Sequence, residues 1–387
     1  MNCKFLDHGV AIGNNGVVKP CCTWTYDANY AKKNHVNFLD INEWRQSEEI
    51  VSAKQSLSKN IWPDSCKSCK VKEAQGRGDS MRLNGESAYA EYSQNDITLE
   101  FRPGNVCNLA CQTCWPISST RVLQYYKKAN LNYNDFSLEE WDFGTIENIK
   151  HNLQDVILLG GEPFYDPKCI EFLDWVHTNK LKTNLTIFTN GSVLNREYIQ
   201  NFKNKIKIVF SLDAIGTQSE YIRFGSKWQT VKDNYNFAKS MPNVELCVNI
   251  TVSPYNYFYY NKLVEWLAED WPATVTFGTA RFGDHLPKEL DECVIPYEHR
   301  QKIIDNLSKT VKVLTSANIE HYQKINAINA VNANIQRLKS VEFELSKHLQ
   351  LVQFIKKMDN VKKIKVADYC PEFANILQKE NIIETNS

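Results

Sequence analysis

The sequence predicts an α/β protein. Its main part is a partial, TIM-like (β/α)6 barrel, with a small N-terminal cysteine-rich metal-binding module and a helical C-terminal extension. Two observations predict this fold. From about residue 97, apolar runs alternate six times with helix-like stretches, which is typical of a parallel sheet. Eight of the 12 cysteines precede residue 115. We expect domains at 1–95, 96–285 and 286–387.

Six strands are expected in the barrel. Each is a short, mostly apolar run, as in strands buried within a parallel sheet. They are Ile97–Phe101, Asp155–Leu159, Leu185–Phe188, Ile206–Leu212, Val244–Val252 and Thr274–Gly278. Six strands are too few to close an eight-stranded barrel, so an open one is expected.

Helices are expected between these strands and throughout the tail. Pro116 suits the first turn of the first helix, and the second helix carries its apolar residues on one side. The expected helices are 116–130, 169–178, 196–202, 230–240 and 259–268, and the clearest amphipathic stretch of the tail is 340–357.

Composition narrows the functional class. The 45 basic and 45 acidic residues balance, so no net charge favours nucleic acid or a membrane surface. No run approaches the ~18 apolar residues of a membrane span, and the N-terminus does not resemble a signal peptide. We expect a cytoplasmic protein with no membrane partner, and the composition gives no argument for a nucleic-acid partner. Its cysteines should be free thiols or metal ligands, and four scattered ones should be buried as small hydrophobes, namely Cys169, Cys247, Cys293 and Cys370.

The most informative motif is a cysteine triad after the first strand. Cys107, Cys111 and Cys114 form C-x3-C-x2-C. Three thiolates on a short loop can hold three irons of a cubane cluster and leave the fourth open to a small molecule. A zinc site would need a fourth nearby ligand, and the next histidine, His151, is remote in sequence. The triad therefore predicts a cluster with one open iron.

Together with the strand pattern, this triad resembles the radical S-adenosylmethionine (SAM) enzymes. The resemblance implies a [4Fe–4S] cluster whose fourth iron is chelated by SAM. It also implies reductive cleavage of SAM to a 5′-deoxyadenosyl radical that abstracts hydrogen from a substrate, with flavodoxin or ferredoxin as electron donor. One departure is Thr113, where many members have an aromatic residue; Trp115 is adjacent.

A second motif follows the second strand. Gly160, Gly161, Glu162 and Pro163 resemble the family's motif for the SAM amino group. Glycines allow a ligand to approach the backbone closely, and the carboxylate can accept from an ammonium group. The resemblance implies that these four residues bind SAM.

Three further polar residues follow later strands. Asn190 and Ser211 resemble family positions around the SAM ribose and carboxylate. Arg223 is a candidate for the methionyl carboxylate, because a guanidinium matches a carboxylate in a bidentate fork. The alternative for all three is ordinary loop and turn chemistry.

The N-terminal segment carries a second cysteine set. Cys3, Cys66 and Cys69, with either Cys21 or Cys22, offer four thiolates for zinc or for a cluster. The spacing C-x12-G-x4-C resembles the start of the SPASM and twitch modules, which implies an auxiliary [4Fe–4S] cluster and favours Cys21. Those modules normally follow the barrel, whereas this one precedes it.

The expected function is that of a radical SAM enzyme of oxidoreductase type, with the auxiliary cluster transferring electrons. A peptide or protein substrate is favoured, undergoing an oxidative crosslink or dehydrogenation. One alternative is oxidation or epimerisation of a small molecule such as a sugar or nucleotide. RNA modification is a further one. A non-catalytic iron–sulfur or zinc protein that binds a partner is the alternative from another class.

Overall fold

The fold is known from a computed structural model, which describes residues 1–74, 80–133, 136, 143–279 and 292–378. The sheet has eight strands in the order β2-β1-β3-β4-β5-β6-β7-β8. The strands are β1 (Gly9–Ile12), β2 (Val18–Lys19), β3 (Ile97–Phe101), β4 (Leu153–Leu158), β5 (Asn184–Thr189), β6 (Ile206–Ser211), β7 (Val244–Val252) and β8 (Thr274–Thr279).

Eighteen α-helices lie within the described residues. They are α1 (Phe5–His8), α2 (Ala28–Lys33), α3 (Ile41–Trp44), α4 (Glu48–Ser58), α5 (Lys67–Ala74), α6 (Met81–Ala88), α7 (Thr120–Lys128), α8 (Gly144–Glu147), α9 (Pro167–Thr178), α10 (Arg196–Asn201), α11 (Gly216–Ile222), α12 (Trp228–Ser240), α13 (Tyr260–Ala268), α14 (Tyr297–Ser316), α15 (His321–Ser340), α16 (Leu345–Lys362), α17 (Val366–Tyr369) and α18 (Pro371–Gln378).

The sheet is mostly parallel. Strand β3 pairs in parallel with β1 and β4, β4 with β5, and β7 with β8, while β1 and β2 are antiparallel. All six predicted strands are present as β3 to β8, with ends shifted by at most two residues. The α/β class and the parallel sheet are therefore confirmed.

The prediction of six strands was incomplete, because the N-terminal segment adds β1 and β2. Strand β1 is a parallel neighbour of β3, and all four of its residues are buried. It begins at Gly9, where an added Cβ would clash with the carbonyl oxygen of Pro20. Glycine is a poor strand former, so a four-residue strand that begins with it gives little sequence signal.

The limits 1–95, 96–285 and 286–387 stay a prediction, and 285–286 lies outside the described residues.

Two predicted helices have different limits in the structure. The helix expected at 116–130 is a 3-10 turn at Pro116–Ser118 followed by α7, because Ser119 Oγ accepts from Val122 N at 3.2 Å and caps α7. The helix expected at 340–357 is α16, which starts at Leu345 because Ser340 ends the preceding helix.

The chain divides into two compact units, and the first comprises Met1–Asn105, Asp135–Phe188 and Asn201–Lys207. One part of its core is aromatic: the Phe172 ring lies 4.7 Å from Phe101 and 5.7 Å from Phe143. A second cluster of buried side chains lies in the N-terminal segment and consists of Leu6, Trp24, Ala53 and Leu57.

The second unit comprises Val106–Asn134, Thr189–Gln200 and Ile208–Ser387. Its core includes the fully buried rings of Tyr221, Tyr255, Tyr260 and Phe373. Helix α16 is anchored to this core, because the Tyr221 hydroxyl lies 3.0 Å from Asp359 Oδ1.

Two sequence predictions concern the whole chain. None of the 12 cysteines, all of which lie among the described residues, forms a disulfide, and the four scattered ones are buried as expected. Among the described helices, none combines the length and apolarity that crossing a membrane requires.

Candidate active site

The cysteine triad lies on a loop that is held along the segment after α11. Ala110 N donates to Phe224 O at 2.9 Å, and Gln112 N donates to Ile222 O at 2.7 Å. These two bonds flank Cys111, and all three triad thiols are half-buried. The backbone therefore holds the cysteine loop beside the segment that carries Arg223.

Asn190 joins the loop after β5 to the cysteine loop. Its Nδ2 donates to Asn108 Oδ1 at 3.0 Å and lies 3.9 Å from Cys107 Sγ. Its Oδ1 accepts from the Ser192 backbone and hydroxyl at 2.8 and 2.6 Å. Asn108 Nδ2 returns a bond to Ser192 Oγ at 2.8 Å. Asn190 thus has a structural role beside the triad, and a contact with SAM stays a prediction.

The sequence offered Arg223 as a candidate for binding the methionyl carboxylate of SAM. In the structure, Arg223 forms a buried ion pair with Asp213. Its guanidinium lies 2.9 Å from Asp213 Oδ2, with side-chain exposures of 12% and 1%. Asp213 Oδ1 also accepts from Thr251 N at 2.9 Å. Arg223 Nε is buried, and no described group accepts its proton. A buried N–H without a partner is costly, so an anion bound beside the triad would satisfy it.

Burial of the triad disfavours negative charge on its thiols, and two cations offset part of that cost. Desolvation raises the pKa of Cys111 and raises that of Cys114 to about 12, whereas Arg223 and Lys362 act in the opposite direction on both. Cluster binding requires thiolates. The two buried cations therefore stabilise the thiolates in part, while the net shift of both pKa values still favours the thiols.

Lys362, which the sequence analysis did not identify, ends α16 and reaches the cysteine loop. Its Nζ donates to Ala110 O at 2.8 Å and to Gln112 Oε1 at 2.9 Å. Burial lowers its pKa to about 7, while Cys111, Asp359 and Cys114 raise it. No local motif signals this residue, because about 250 positions separate it from the loop.

Ser211 and the glycine motif are described by their own surroundings. Ser211 is the half-buried last residue of β6, in the second unit. Gly160 to Pro163 follow β4 in the first unit, where Glu162 is fully buried and its Oε1 accepts from Phe164 N at 3.3 Å. A Cβ at Gly160 would approach Cys169 Sγ to 2.7 Å. Packing therefore accounts for that glycine, and SAM binding by the motif stays a prediction.

The second cysteine set lines one cavity in the first unit. Cys3, Cys21, Cys66 and Cys69 all contribute to it, together with Trp24, Trp62 and Arg82, and its volume is about 20 Å³. Desolvation raises the pKa of Cys3 and Cys66 to about 12, and neighbouring cysteines raise both further. Cys22 is exposed and does not line the cavity. The geometry thus groups Cys21 with the other three.

Neither set has the form of a site for a single ion. Within the described ranges, no three or more Cys, His, Asp and Glu side chains are arranged to hold one metal ion. The triad's donor chemistry fits a cluster, because three soft thiols on one loop have two cations and a buried unsatisfied N–H nearby.

Comparison with known protein families supports the radical SAM class, which the triad and the strand pattern resemble. A sequence model of the radical SAM superfamily matches residues 101–267, a segment that includes the triad and the motifs up to Arg223. This match supports membership of that superfamily for the barrel segment. Curated protein sequences gave no match.

Several solved structures resemble the chain distantly. Streptococcus suis SuiB bound to S-adenosylmethionine is 17% identical, with a TM-score of 0.40, over 72% of this chain and 60% of that one. The native protein anSMEcpe with bound AdoMet is 16% identical, with a TM-score of 0.40, over 56% and 60%. TYW1 with a lysine-pyruvate adduct bound is 13% identical, with a TM-score of 0.35, over 72% and 94%. The chain spans about 60% of the first two. Likenesses this weak carry no argument about substrate.

Proposed function

We propose that this protein is a radical SAM enzyme whose catalytic cluster is held by Cys107, Cys111 and Cys114. When bound, the [4Fe–4S] cluster supplies one electron that cleaves SAM to methionine and a 5′-deoxyadenosyl radical, which takes a hydrogen atom from the substrate. The observation that carries the proposal is the triad loop, which lies beside the buried Arg223–Asp213 pair and within the matched segment.

The chain's own residues supply positioning and charge. The bonds of Ala110 and Gln112 to the 222–224 segment hold the loop, and Asn190 ties the loop after β5 to it through Asn108. Arg223 places a guanidinium near the thiols, and its unpartnered Nε can donate to an anionic ligand. Gly161 and Glu162 are proposed to bind the amino group of SAM, with Ser211 near its ribose or carboxylate.

A second part of the proposal is an auxiliary [4Fe–4S] cluster on Cys3, Cys21, Cys66 and Cys69. Four thiolates would leave no open iron, which suits electron transfer rather than substrate binding. An electron acceptor in turn suits a net oxidation, so we propose dehydrogenation or crosslinking of a peptide or protein. A flavodoxin or ferredoxin is the proposed donor, and cysteines that form no disulfide among the described residues suit a reducing, cytoplasmic location.

Zinc bound by the same four cysteines is the second candidate for that module, although the described side chains are not arranged around a single ion. Metal content separates the two: about eight irons per chain for two clusters, against about four irons and one zinc.

The proposed activity is tested by anaerobic reconstitution with iron and sulfide, followed by dithionite and SAM. We expect 5′-deoxyadenosine in the wild type and none above background in Cys111→Ala. Cys247→Ala is the matched control, because this buried thiol on β7 belongs to neither set. No 5′-deoxyadenosine from a wild type with a full iron load would rule out the enzyme and leave an iron–sulfur binding protein.

A further inference from the structure

The last residue of α16 brings a buried positive charge to the cysteine loop. Lys362 is 6% exposed, and its two hydrogen-bond acceptors are the residues on either side of Cys111. They are Ala110 O at 2.8 Å and Gln112 Oε1 at 2.9 Å. A lysine so far from solvent is costly unless its charge is paired, so its location requires a reason.

The surroundings of Lys362 hold the ammonium in place. Its Nζ lies 5.8 Å from the ring centre of Tyr125 and 5.1 Å from that of Phe224. The helix ends directly afterwards at Lys363, whose φ of 56° is left-handed. One turn earlier, Asp359 is anchored by the Tyr221 hydroxyl at 3.0 Å and by Val366 N at 2.7 Å. The helix end is therefore fixed on both sides of the lysine.

The charges around Lys362 make the triad its electrostatic partner. Cys111, Asp359 and Cys114 are the groups whose negative charge favours its ammonium form. Asp359 already has two donors of its own. Arg223, the other buried cation near the thiols, has Asp213 as its partner. A loaded cysteine loop would therefore place additional negative charge beside the Lys362 ammonium, which already contacts that loop at Ala110 O and Gln112 Oε1.

We propose that Lys362 is a positioning residue that holds the cysteine loop and raises the reduction potential of the cluster bound to it. The inference rests on the proposed function for the presence of that cluster. Reduction adds one negative charge, and a buried cation stabilises the reduced form more than the oxidised form. Net charge, hydrogen bonding and burial are the quantities that set the potential of such clusters.

The first test uses the full-length apoprotein and needs no cluster. Alkylation of Cys111 and Cys114 by iodoacetamide is followed by mass spectrometry in the wild type and in Lys362→Met. We expect alkylation about tenfold faster in the variant, because two charge-assisted hydrogen bonds no longer hold the loop closed. Lys363→Met, an exposed neighbour, should alkylate at the wild-type rate.

The second test measures the potential of the reconstituted protein by EPR-monitored titration without SAM. Lys362→Met should make reduction harder by about tenfold in the equilibrium constant, which is about 59 mV for one electron. Lys362→Arg, which keeps the charge, should stay near the wild type, and Lys363→Met should match it. A purely structural role would not move the potential. In a protein with all three triad cysteines changed to alanine, Lys362→Met should leave the remaining metal signal unchanged.

The outcomes separate this inference from the proposed function. If Lys362→Met keeps both the alkylation rates and the potential of the wild type while 5′-deoxyadenosine still forms, the inference is wrong and the function stands. If the wild-type triad takes up no iron, the proposed function and the effect on potential both fail, and alkylation alone decides the positioning role. If Lys362→Met does not fold, Lys362→Arg decides: a shift in its potential as large as that expected for methionine contradicts a role for the charge.

Discussion

At the scale of single residues, the site depends on buried polar groups that are satisfied in pairs. Arg223 and Asp213 form one pair, and Asn190 and Asn108 form another. Buried charges and amides stabilise a fold only when their partners are present. Substitutions here should therefore affect folding as well as chemistry, and the two must be measured separately.

Arg223→Met should lower the free energy of unfolding by about 3–5 kcal/mol, because it leaves the Asp213 carboxylate buried and unpaired. The double variant Arg223→Met with Asp213→Asn should recover part of this loss, since it also removes the uncompensated charge. Urea denaturation of the apoprotein measures both. Equal stability of the single and double variants would show that the ion pair is not what holds Asp213.

Asn190→Ala should cost about 1–3 kcal/mol, because the Asn108 side chain and the Ser192 backbone lose a buried partner. Asn201→Ala is the matched control, since Asn201 is exposed on α10, and it should change stability by less than about 0.5 kcal/mol. Thermal and urea denaturation give the two values. If Asn190→Ala lowered the free energy of unfolding as little as the control does, Asn190 would not be what connects the loop after β5 to the cysteine loop.

At the scale of elements, turns and loops carry the cysteine thiols, and the neighbouring strands and helices hold these turns and loops in position. The turn between β2 and α2 carries both Cys21 and Cys22, yet only Cys21 lines the cavity with the other three thiols. The turn is closed by Trp24 N, which donates to Cys21 O at 3.2 Å, and Cys22 is exposed. The backbone therefore selects between two chemically identical side chains.

This selection makes a prediction about metal content. Cys21→Ala should lose the metal of the N-terminal module, either about four irons or one zinc per chain, while Cys22→Ala should keep the wild-type amount. Metal analysis of the anaerobically reconstituted proteins measures this. The reverse pattern, with loss in Cys22→Ala alone, would show that the turn rearranges when metal binds.

At the scale of the whole molecule, ligands that bind only the folded chain should raise its apparent stability. SAM at about 100 times its dissociation constant should add about 2.7 kcal/mol to the iron-loaded wild type, seen as a higher Tm under anaerobic conditions. The variant with all three triad cysteines replaced by alanine should show no SAM-dependent rise. A similar rise in both proteins would place SAM binding away from the triad.

The parts of the fold with repeated local patterns were predictable. Strands β3 to β8 are apolar runs of about the expected lengths, and periodicity located them together with five of the helices between them, whereas the short helices α8 and α11 were not predicted. Strand β1 was missed because it is four residues long and begins with glycine. It is a strand because β3 pairs with it in parallel and β2 pairs with it in antiparallel fashion, and such pairing leaves no mark on a short segment.

The available thiols and their spacing could be read from the sequence, because C-x3-C-x2-C is a local property of one loop. The sequence also indicated the candidate residues at the strand ends. The partners of these residues could be known only from the folded chain. Arg223 pairs with Asp213, and Lys362 reaches the cysteine loop. The N-terminal cysteine set consists of Cys3, Cys21, Cys66 and Cys69, with Cys21 rather than Cys22. The physical reason is that the partner of a buried charge is set by proximity in space. Lys362 and the cysteine loop are in contact although about 250 positions separate them along the chain.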